Sequence, residues 1–290
     1  MQLPSDNHLS TLRARFHALL DPDYGVSETD SMFFILCDEY LNKKRSEVIL
    51  DHSLRLSESE LLKFHYALKD LIRHRPLQYI LGKAPFAGFD FFVEEGVLIP
   101  RPETEELVHH IIAENASREN IKILDIGTGS GCIAISLQRL LPDSEVHAID
   151  ISEKALQIAQ KNQQQLLSNV HFHQGDILAA STQFPDNYFD VIVSNPPYIA
   201  IAEKESMHPN VLNFEPAEAL FVSDNDALLF YKIIENKAAG WMKEKGQLWL
   251  EINEHLGTET LQLFHNQKWS ESVIINDFQG KERMIRVRKA

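Results

Sequence analysis

The stretch Ile123-Leu124-Asp125-Ile126-Gly127-Thr128-Gly129-Ser130-Gly131 constrains the fold more than any other part of the chain. A short apolar run of strand length enters three glycines at alternate positions. Cys132-Ile133-Ala134-Ile135-Ser136-Leu137 then opens a helix. Glycines let a backbone approach a ligand closely and turn through positive φ. The spacing G-x-G-x-G is neither the dinucleotide fingerprint nor a triphosphate-gripping loop, because no Lys follows it. Asp125, beside the loop, would repel a pyrophosphate. It suits a ligand that carries an ammonium and a sulfonium.

The next two strands extend the plan. Glu145-Val146-His147-Ala148-Ile149-Asp150 ends in an acid 19 positions after Gly131, where nucleotide-binding βαβ units hold ribose hydroxyls. Ser152 offers a cap for a helix through Ala155, Leu156, Ile158 and Ala159. Val170-His171-Phe172-His173 ends at Gly175-Asp176, a polar stop suited to a base edge. Singly, each acid reads as a solvated strand end. In this order, and beside the glycine loop, they read as one ligand site.

A second motif closes a further buried strand. Asp190-Val191-Ile192-Val193-Ser194 runs into Asn195-Pro196-Pro197-Tyr198. Two prolines fix two φ angles and remove two donors, and Pro196 keeps Asn195 out of the helical region. The product is a stiff corner, rich in acceptors and poor in donors, at the C-terminal edge of a strand. It suits an uncharged substrate that brings N–H groups. The Asn195 side-chain oxygen and the Pro196 carbonyl can accept both hydrogens of a planar amide, and Tyr198 can pack on its face.

These residues carry a resemblance. Asp125 to Gly131, Asp150, Asp176 and Asn195-Pro196-Pro197-Tyr198 resemble a class I S-adenosylmethionine-dependent methyltransferase. Arg75-Pro76-Leu77-Gln78-Tyr79-Ile80-Leu81-Gly82, Val97-Leu98-Ile99-Pro100-Arg101-Pro102-Glu103-Thr104-Glu105, Phe214-Glu215-Pro216 and Asp277 to Arg283 resemble one subfamily, the peptide-chain release factor glutamine N5-methyltransferases. The resemblance covers roughly residues 73 to 288. It implies an α/β, Rossmann-like, seven-stranded, mostly parallel sheet whose last strand is antiparallel. It implies S-adenosyl-L-methionine held by Asp125, Gly127, Thr128, Gly129, Ser130, Gly131, Asp150, Ile151, Asp176, Ile177 and Asn195. It also implies a catalytic pair, Asn195 and Pro196, with Pro197 and Tyr198 completing the substrate corner. The implied substrate is the glutamine of the Gly-Gly-Gln segment of class I release factors. Two positions depart from the pattern. Ile177 stands where several members carry an aromatic residue, and Glu251-Ile252-Asn253 stands where Glu is followed by Gly or His-Gly.

The same corner could serve an N6-adenine DNA or RNA methyltransferase, or persist in a non-catalytic cofactor-binding module. A net charge of −14, with no basic run longer than Lys43-Lys44-Arg45, argues against a nucleic-acid partner. An intact Asn195 and glycine loop argue against a non-catalytic module. Only two cysteines, Cys37 and Cys132, suit a reducing compartment, and the expected location is cytoplasmic. Met1 to Asp6 carry no secretory pattern, and no apolar run approaches the ~20 residues of a membrane span.

Along the chain, residues 1–75 read as a small helical bundle that recognises the substrate, with a stop at Asp21-Pro22 and a helix starting at Leu56-Ser57. Residues 76–102 read as a linking β-hairpin in which Tyr79-Ile80-Leu81-Gly82 is extended, and 103–290 as the methyltransferase domain. The segments Ser272 to Ile275 and Arg283 to Arg288 read as a closing antiparallel hairpin. His171 and His173 share a strand face but read as packing residues, with no metal expected. Cys132 reads as a small packing residue. Arg101 and Glu103 flank Pro102 as salt-bridge candidates. Of Phe91 and Phe92, one is expected in the core and one in the pocket.

Overall fold

The computed structural model describes residues 6–51 and 53–290, in two compact units. Met1 to Ser5, part of the segment read for a secretory pattern, lie outside the described residues.

The first unit runs to Leu81 and includes the short segment Pro209–Asn213. Its helices are α1 (Leu9–Leu41), α2 (Arg45–Leu50), α3 (Glu58–Leu71) and α4 (Leu77–Leu81). Leu9, Leu12, Phe16 and Leu20 recur on one face of α1 and are buried. Phe16 meets Phe33 edge-on at 5.1 Å and Phe64 at 6.3 Å, an arrangement that the ring quadrupoles favour. α3 begins with a capping box: Glu60 N–H donates to Ser57 Oγ, and Ser57 N–H donates to Glu60 Oε2 at 2.7 Å.

Two local expectations fail here. The helix does not stop at Asp21-Pro22. It runs through Pro22, giving up one amide donor, and breaks at Gly25 (φ 77°, ψ 160°), a backbone shape that glycine adopts without cost. The Arg13 guanidinium spans that break to Asp30 in a bidentate pair at 2.7 and 2.9 Å. Tyr79-Ile80-Leu81 is not extended but forms α4. Pro76 supplies the first carbonyl, which accepts from Ile80 N–H at 3.1 Å, and Leu77 and Tyr79 are buried. A single helical turn is too short for its apolar spacing to tell it from a strand.

The second unit opens with a tight hairpin, β1 (Lys83–Phe86) and β2 (Phe89–Phe92), turning at Ala87-Gly88, both with positive φ. The unit continues with α5 (Pro102–Asn115), β3 (Lys122–Ile126), α6 (Cys132–Leu140), β4 (Glu145–Asp150), α7 (Glu153–Leu166), β5 (Val170–Gln174) and β6 (Phe189–Ser194). After β7 (Ile199–Ala200) and α8 (Pro209–Leu212, in the segment grouped with the first unit) come α9 (Ala217–Leu220) and β8 (Phe221–Val222). The chain ends with α10 (Leu229–Trp241), β9 (Met242–Glu251), α11 (Gly257–Gln262), β10 (Trp269–Asn276) and β11 (Glu282–Lys289).

Seven strands form one sheet in the order β10-β11-β9-β6-β3-β4-β5. β11 runs antiparallel to both of its neighbours, and the other pairings in this sheet are parallel. The seven-stranded, mostly parallel sheet with its last strand reversed is therefore as the resemblance implied. Successive residues alternate between two cores. Ile123, Val191, Val193 and Trp249 pack on one face; Leu124, Ile192, Leu248 and Leu250 pack on the other. Helices cover both faces, so the strands read as unbroken apolar runs. Each fully buried Val or Leu contributes about 1.5–3 kcal/mol.

The chain builds β3, β4 and β5 outward to one side, then returns to place β6 on the other side of β3. That reversal opens a crevice beyond the C-terminal strand ends, where open α/β sheets bind ligands. Among the described residues, no helix is long and apolar enough to cross a membrane.

Candidate active site

β3, β4 and β6 end side by side, with Ile126 opposite both Ile149 and Ser194. The loops that follow them therefore share one edge. Gly127 and Thr128 N–H both donate to Ile149 O, which folds the glycine loop over the end of β4. Gly129 sits at φ 54°, and its N–H donates to Asp150 Oδ2 at 2.8 Å. A Cβ at Gly127 or Gly129 would enter open space. Gly131 is different: at φ 81° it caps α6, and a Cβ there would come within 2.9 Å of Ile135 and 3.1 Å of Ala159. Two glycines thus face an open cradle and the third packs against α7.

Asp125 is fully buried at the mouth of this loop. Its Oδ2 accepts from the Thr128 hydroxyl at 2.6 Å, and its Oδ1 has no partner. Burial pushes its carboxyl up to about 7, and the neighbouring Asp150 charge pushes the same way. Ser130 Oγ is buried and likewise unpartnered. A buried orphan carboxylate oxygen calls for a cationic or hydrogen-bonding ligand. Asp150 accepts from Gly129 N–H and, through Oδ1, from Ser152 N–H at 2.9 Å, while burial raises its pKa. Ser152 caps α7 by accepting from Ala155 N–H.

Beyond Asp150, Ile151 is 59% exposed, a large apolar side chain left open at the strand edge. Asp176 is half-buried and uses Oδ1 to accept from Leu178 N–H at 2.8 Å. Ile177 is half-buried against the core beneath the edge.

The Asn-Pro-Pro-Tyr corner leaves β6 beside β9, where Ser194 pairs with Leu250. Asn195 Nδ2 donates to Thr104 Oγ1 at 3.0 Å, and Thr104 donates to Glu251 Oε2 at 2.6 Å. Tyr198 OH donates to the other oxygen, Glu251 Oε1, at 2.9 Å. Asn253 Nδ2 donates to Tyr198 O, and β7 pairs with β8 to fix the exit. The described residues donate no hydrogen bond to Asn195 Oδ1 or to the Pro196 carbonyl. Two acceptors are held rigidly and left unspent. Glu251 is buried, and that burial raises its pKa against the hydrogen bonds from Thr104 and Tyr198. Burial also raises the Tyr198 phenol, with the Glu251 charge adding to it.

Thr104 lies in the first turn of α5, and that turn is anchored. Arg101 Nη2 meets Glu215 Oε1 at 2.5 Å, and Ile99 N–H donates to Glu215 Oε2 at 3.2 Å. The salt-bridge partner of Arg101 is thus Glu215 of Phe214-Glu215-Pro216, not an acid within its own loop. The sequence alone gives neither Thr104 nor Glu251 a role. Both stand in stretches that carry the resemblance or depart from it, and that was the available signal.

The other candidates resolve as packing. Burial pushes the Cys132 thiol up to about 12, overriding the helix N-terminus. His147 stacks on His173 with Nδ1 to Nε2 at 2.9 Å, and His171 lies 4.9 Å from His147 between ring centres. Among the described residues, no group of three or more His, Cys, Asp or Glu side chains could hold a metal ion. Phe91 is the core member of its pair, and Phe92 is half-buried with the Lys161 ammonium over its ring at 3.1 Å.

A seven-stranded, mostly parallel sheet with a glycine loop, a buried acid and an acceptor corner on one edge defines a Rossmann-like methyltransferase. The family model for a methyltransferase domain matches residues 117–272, and that for the PrmC N-terminal domain matches residues 13–82. A solved methyltransferase from Pyrococcus furiosus shares the fold at a TM-score of 0.51, with 18% identity over 81% of this chain and 100% of that one. Release factor glutamine methyltransferase from Flavobacterium psychrophilum is 44% identical over 282 residues, 96% of this chain and 98% of its own length. The protein of the same name from Bacillus subtilis is 36% identical over 266 residues, 90% of this chain and 91% of its own. The chain belongs to the release factor glutamine methyltransferase family.

Proposed function

We propose that this chain methylates the side-chain amide nitrogen of the glutamine in the Gly-Gly-Gln segment of peptide-chain release factors. The products are N5-methylglutamine and S-adenosylhomocysteine. One observation carries the reading: Asn195 Oδ1 and the Pro196 carbonyl are two fixed, unspent acceptors on the edge that also holds the glycine loop.

The donor site fits S-adenosyl-L-methionine, on the orphan oxygen of Asp125 and the open space over Gly127 and Gly129. Asp125, Thr128, Ser130 and the three loop glycines would hold the amino-acid end. Asp150 would accept from ribose hydroxyls. Ile151 and Ile177 would cover the base, with Asp176 at its edge. Bound there, the donor supplies an electrophilic methyl on a sulfonium.

An amide nitrogen is a weak nucleophile because its lone pair is delocalised into the carbonyl. Asn195 Oδ1 and Pro196 O accept its two N–H bonds and turn the nitrogen toward the methyl. As the N–C bond forms, those acceptors stabilise the positive charge on nitrogen, and one proton then leaves to solvent. The prolines keep both acceptors in place, so little reorganisation is needed in the transition state. Tyr198, its hydroxyl tied to Glu251, offers a ring edge of the corner rather than a free phenol.

The helical first unit reads as the part that recognises the protein substrate, and the activity as cytoplasmic. Cys37 and Cys132 are both free and buried, which fits a reducing compartment.

The Asn195→Ala variant tests the reading. Loss of one preorganised polar group of this kind costs about 2.7–4 kcal/mol, or roughly 10²–10³-fold. The expected loss is in kcat on release factor, with S-adenosylmethionine affinity largely kept. Turnover at the parent rate would reduce Asn195 to a turn residue.

A further inference from the structure

The geometry points to Thr104 and Glu251 as a directional relay that fixes which face of the Asn195 amide meets the substrate. The inference rests on the proposed glutamine methylation and adds two positioning residues to it.

An Asn amide has two orientations that exchange Oδ1 and Nδ2, and they differ little in shape. Only one of them presents an acceptor to the reacting nitrogen. The other presents an NH₂ group, which would face the substrate N–H bonds donor to donor. A stiff Pro-Pro backbone fixes where the side chain starts, but not which way its amide is turned. The orientation has to come from neighbours.

Thr104 supplies it. A threonine hydroxyl has one proton and two lone pairs. Thr104 commits its proton to Glu251 Oε2 at 2.6 Å. It can therefore offer Asn195 only a lone pair, and the group that meets it at 3.0 Å is Nδ2. Glu251 commits Thr104 in turn, because its other oxygen is already taken by the Tyr198 hydroxyl at 2.9 Å. Every link runs in one direction, from Asn195 to Thr104 to Glu251. Reversing the Asn195 amide would set its oxygen against the Thr104 oxygen with no proton between them. Thr104 is 3% exposed and Glu251 2%, so water is poorly placed to repair that mismatch.

The elements that carry the relay are themselves anchored. Arg101 and Glu215 hold the first turn of α5. Tyr231 OH donates to Glu251 O, which holds the end of β9. Thr104 and Glu251 touch neither substrate nor donor in this account; Thr104 acts through Asn195, and Glu251 acts through Thr104 and the Tyr198 hydroxyl.

The test compares Thr104→Val, which keeps shape and loses the hydroxyl, with Thr104→Ser, which keeps the hydroxyl. Steady-state methylation of a purified release factor is measured with S-adenosylmethionine. Thr104→Val should lower kcat by about 10- to 100-fold, the scale of a misplaced reacting group. The donor dissociation constant should change little, and Thr104→Ser should recover most of the lost kcat. The sharper readout is a double-mutant cycle. In the Asn195→Ala background, Thr104→Val should cost nothing more, because the relay no longer has a side chain to orient. A purely structural role would lower both backgrounds alike and overturn the relay. Should Thr104→Val fail to fold, Thr104→Ala is read in its place, with the same expectations in both backgrounds. Wild-type turnover matched by the variant overturns the relay alone. A wild-type enzyme with no turnover on release factor overturns the functional reading, and the relay with it.

Discussion

Asp125 links burial to pH. One oxygen is held by Thr128, the other has no partner, and burial pushes its carboxyl up to about 7. The folded pKa lies above the unfolded value, so between the two the folded chain binds more protons. In the ligand-free protein, Asp125 therefore costs stability as pH rises from the usual carboxylate range through about 7. A cationic donor reverses the preference, because it stabilises the carboxylate. Binding should then release a proton below about pH 7, and affinity should fall as pH drops from 7 to 5. Titration calorimetry across that window, in buffers of different ionisation heat, measures both effects. Asp125→Asn should flatten the profile; a wild-type profile already flat would show that Asp125 does not meet the cation. Asp125, Asp150 and Asn195 were legible in sequence because each stands at or next to the end of a strand whose apolar run is visible. Thr104 and Glu251 were not assigned roles because their partners are set by the fold. Thr104 lies 91 residues from Asn195 and 147 from Glu251.

At the scale of elements, one side chain ties the β1–β2 hairpin to the donor site. Asn162 on α7 accepts from Phe92 N–H at 2.7 Å and donates to Phe92 O at 3.0 Å. It also donates to Ser130 O in the glycine loop at 2.9 Å. Asn162→Ala would leave three backbone groups without this partner, the buried Ser130 carbonyl and the part-buried Phe92 N–H and carbonyl. It should cost about 2–4 kcal/mol in urea unfolding. Donor affinity should weaken too, since the glycine loop loses a support. A change under about 0.5 kcal/mol, the range of ordinary surface substitutions, would show that the hairpin stands without this tie. The long amphipathic helices and the parallel strands were legible from their periods. Two features were not. α4 is too short for its period to speak, and α1 carries Pro22 inside it and breaks instead at Gly25, where φ is positive. Asn162 itself gave no signal, being one polar residue in a run of Asn and Gln.

At the scale of the molecule, the charge balance and the acceptor corner point to different aspects of one substrate. A net charge of −14 disfavours a phosphate backbone, whose binding depends on neutralising many charges. The corner alone would serve an exocyclic amine on a base as well as an amide. The overall sheet, with its reversed last strand, was legible through the family resemblance that the motifs carry, and only the closing hairpin was legible from its own residues. The first unit runs to Leu81 and takes in Pro209–Asn213 from far along the chain, a grouping that no local pattern in the sequence carries. The most direct test presents the purified protein with S-adenosylmethionine and an intact release factor, with DNA and RNA in parallel reactions. Tandem mass spectrometry then locates the transferred methyl. The account predicts one methyl group, on the side-chain nitrogen of the glutamine in Gly-Gly-Gln, and none on either nucleic acid. A methyl on an adenine amine, on another protein residue, or on none of these substrates would contradict it.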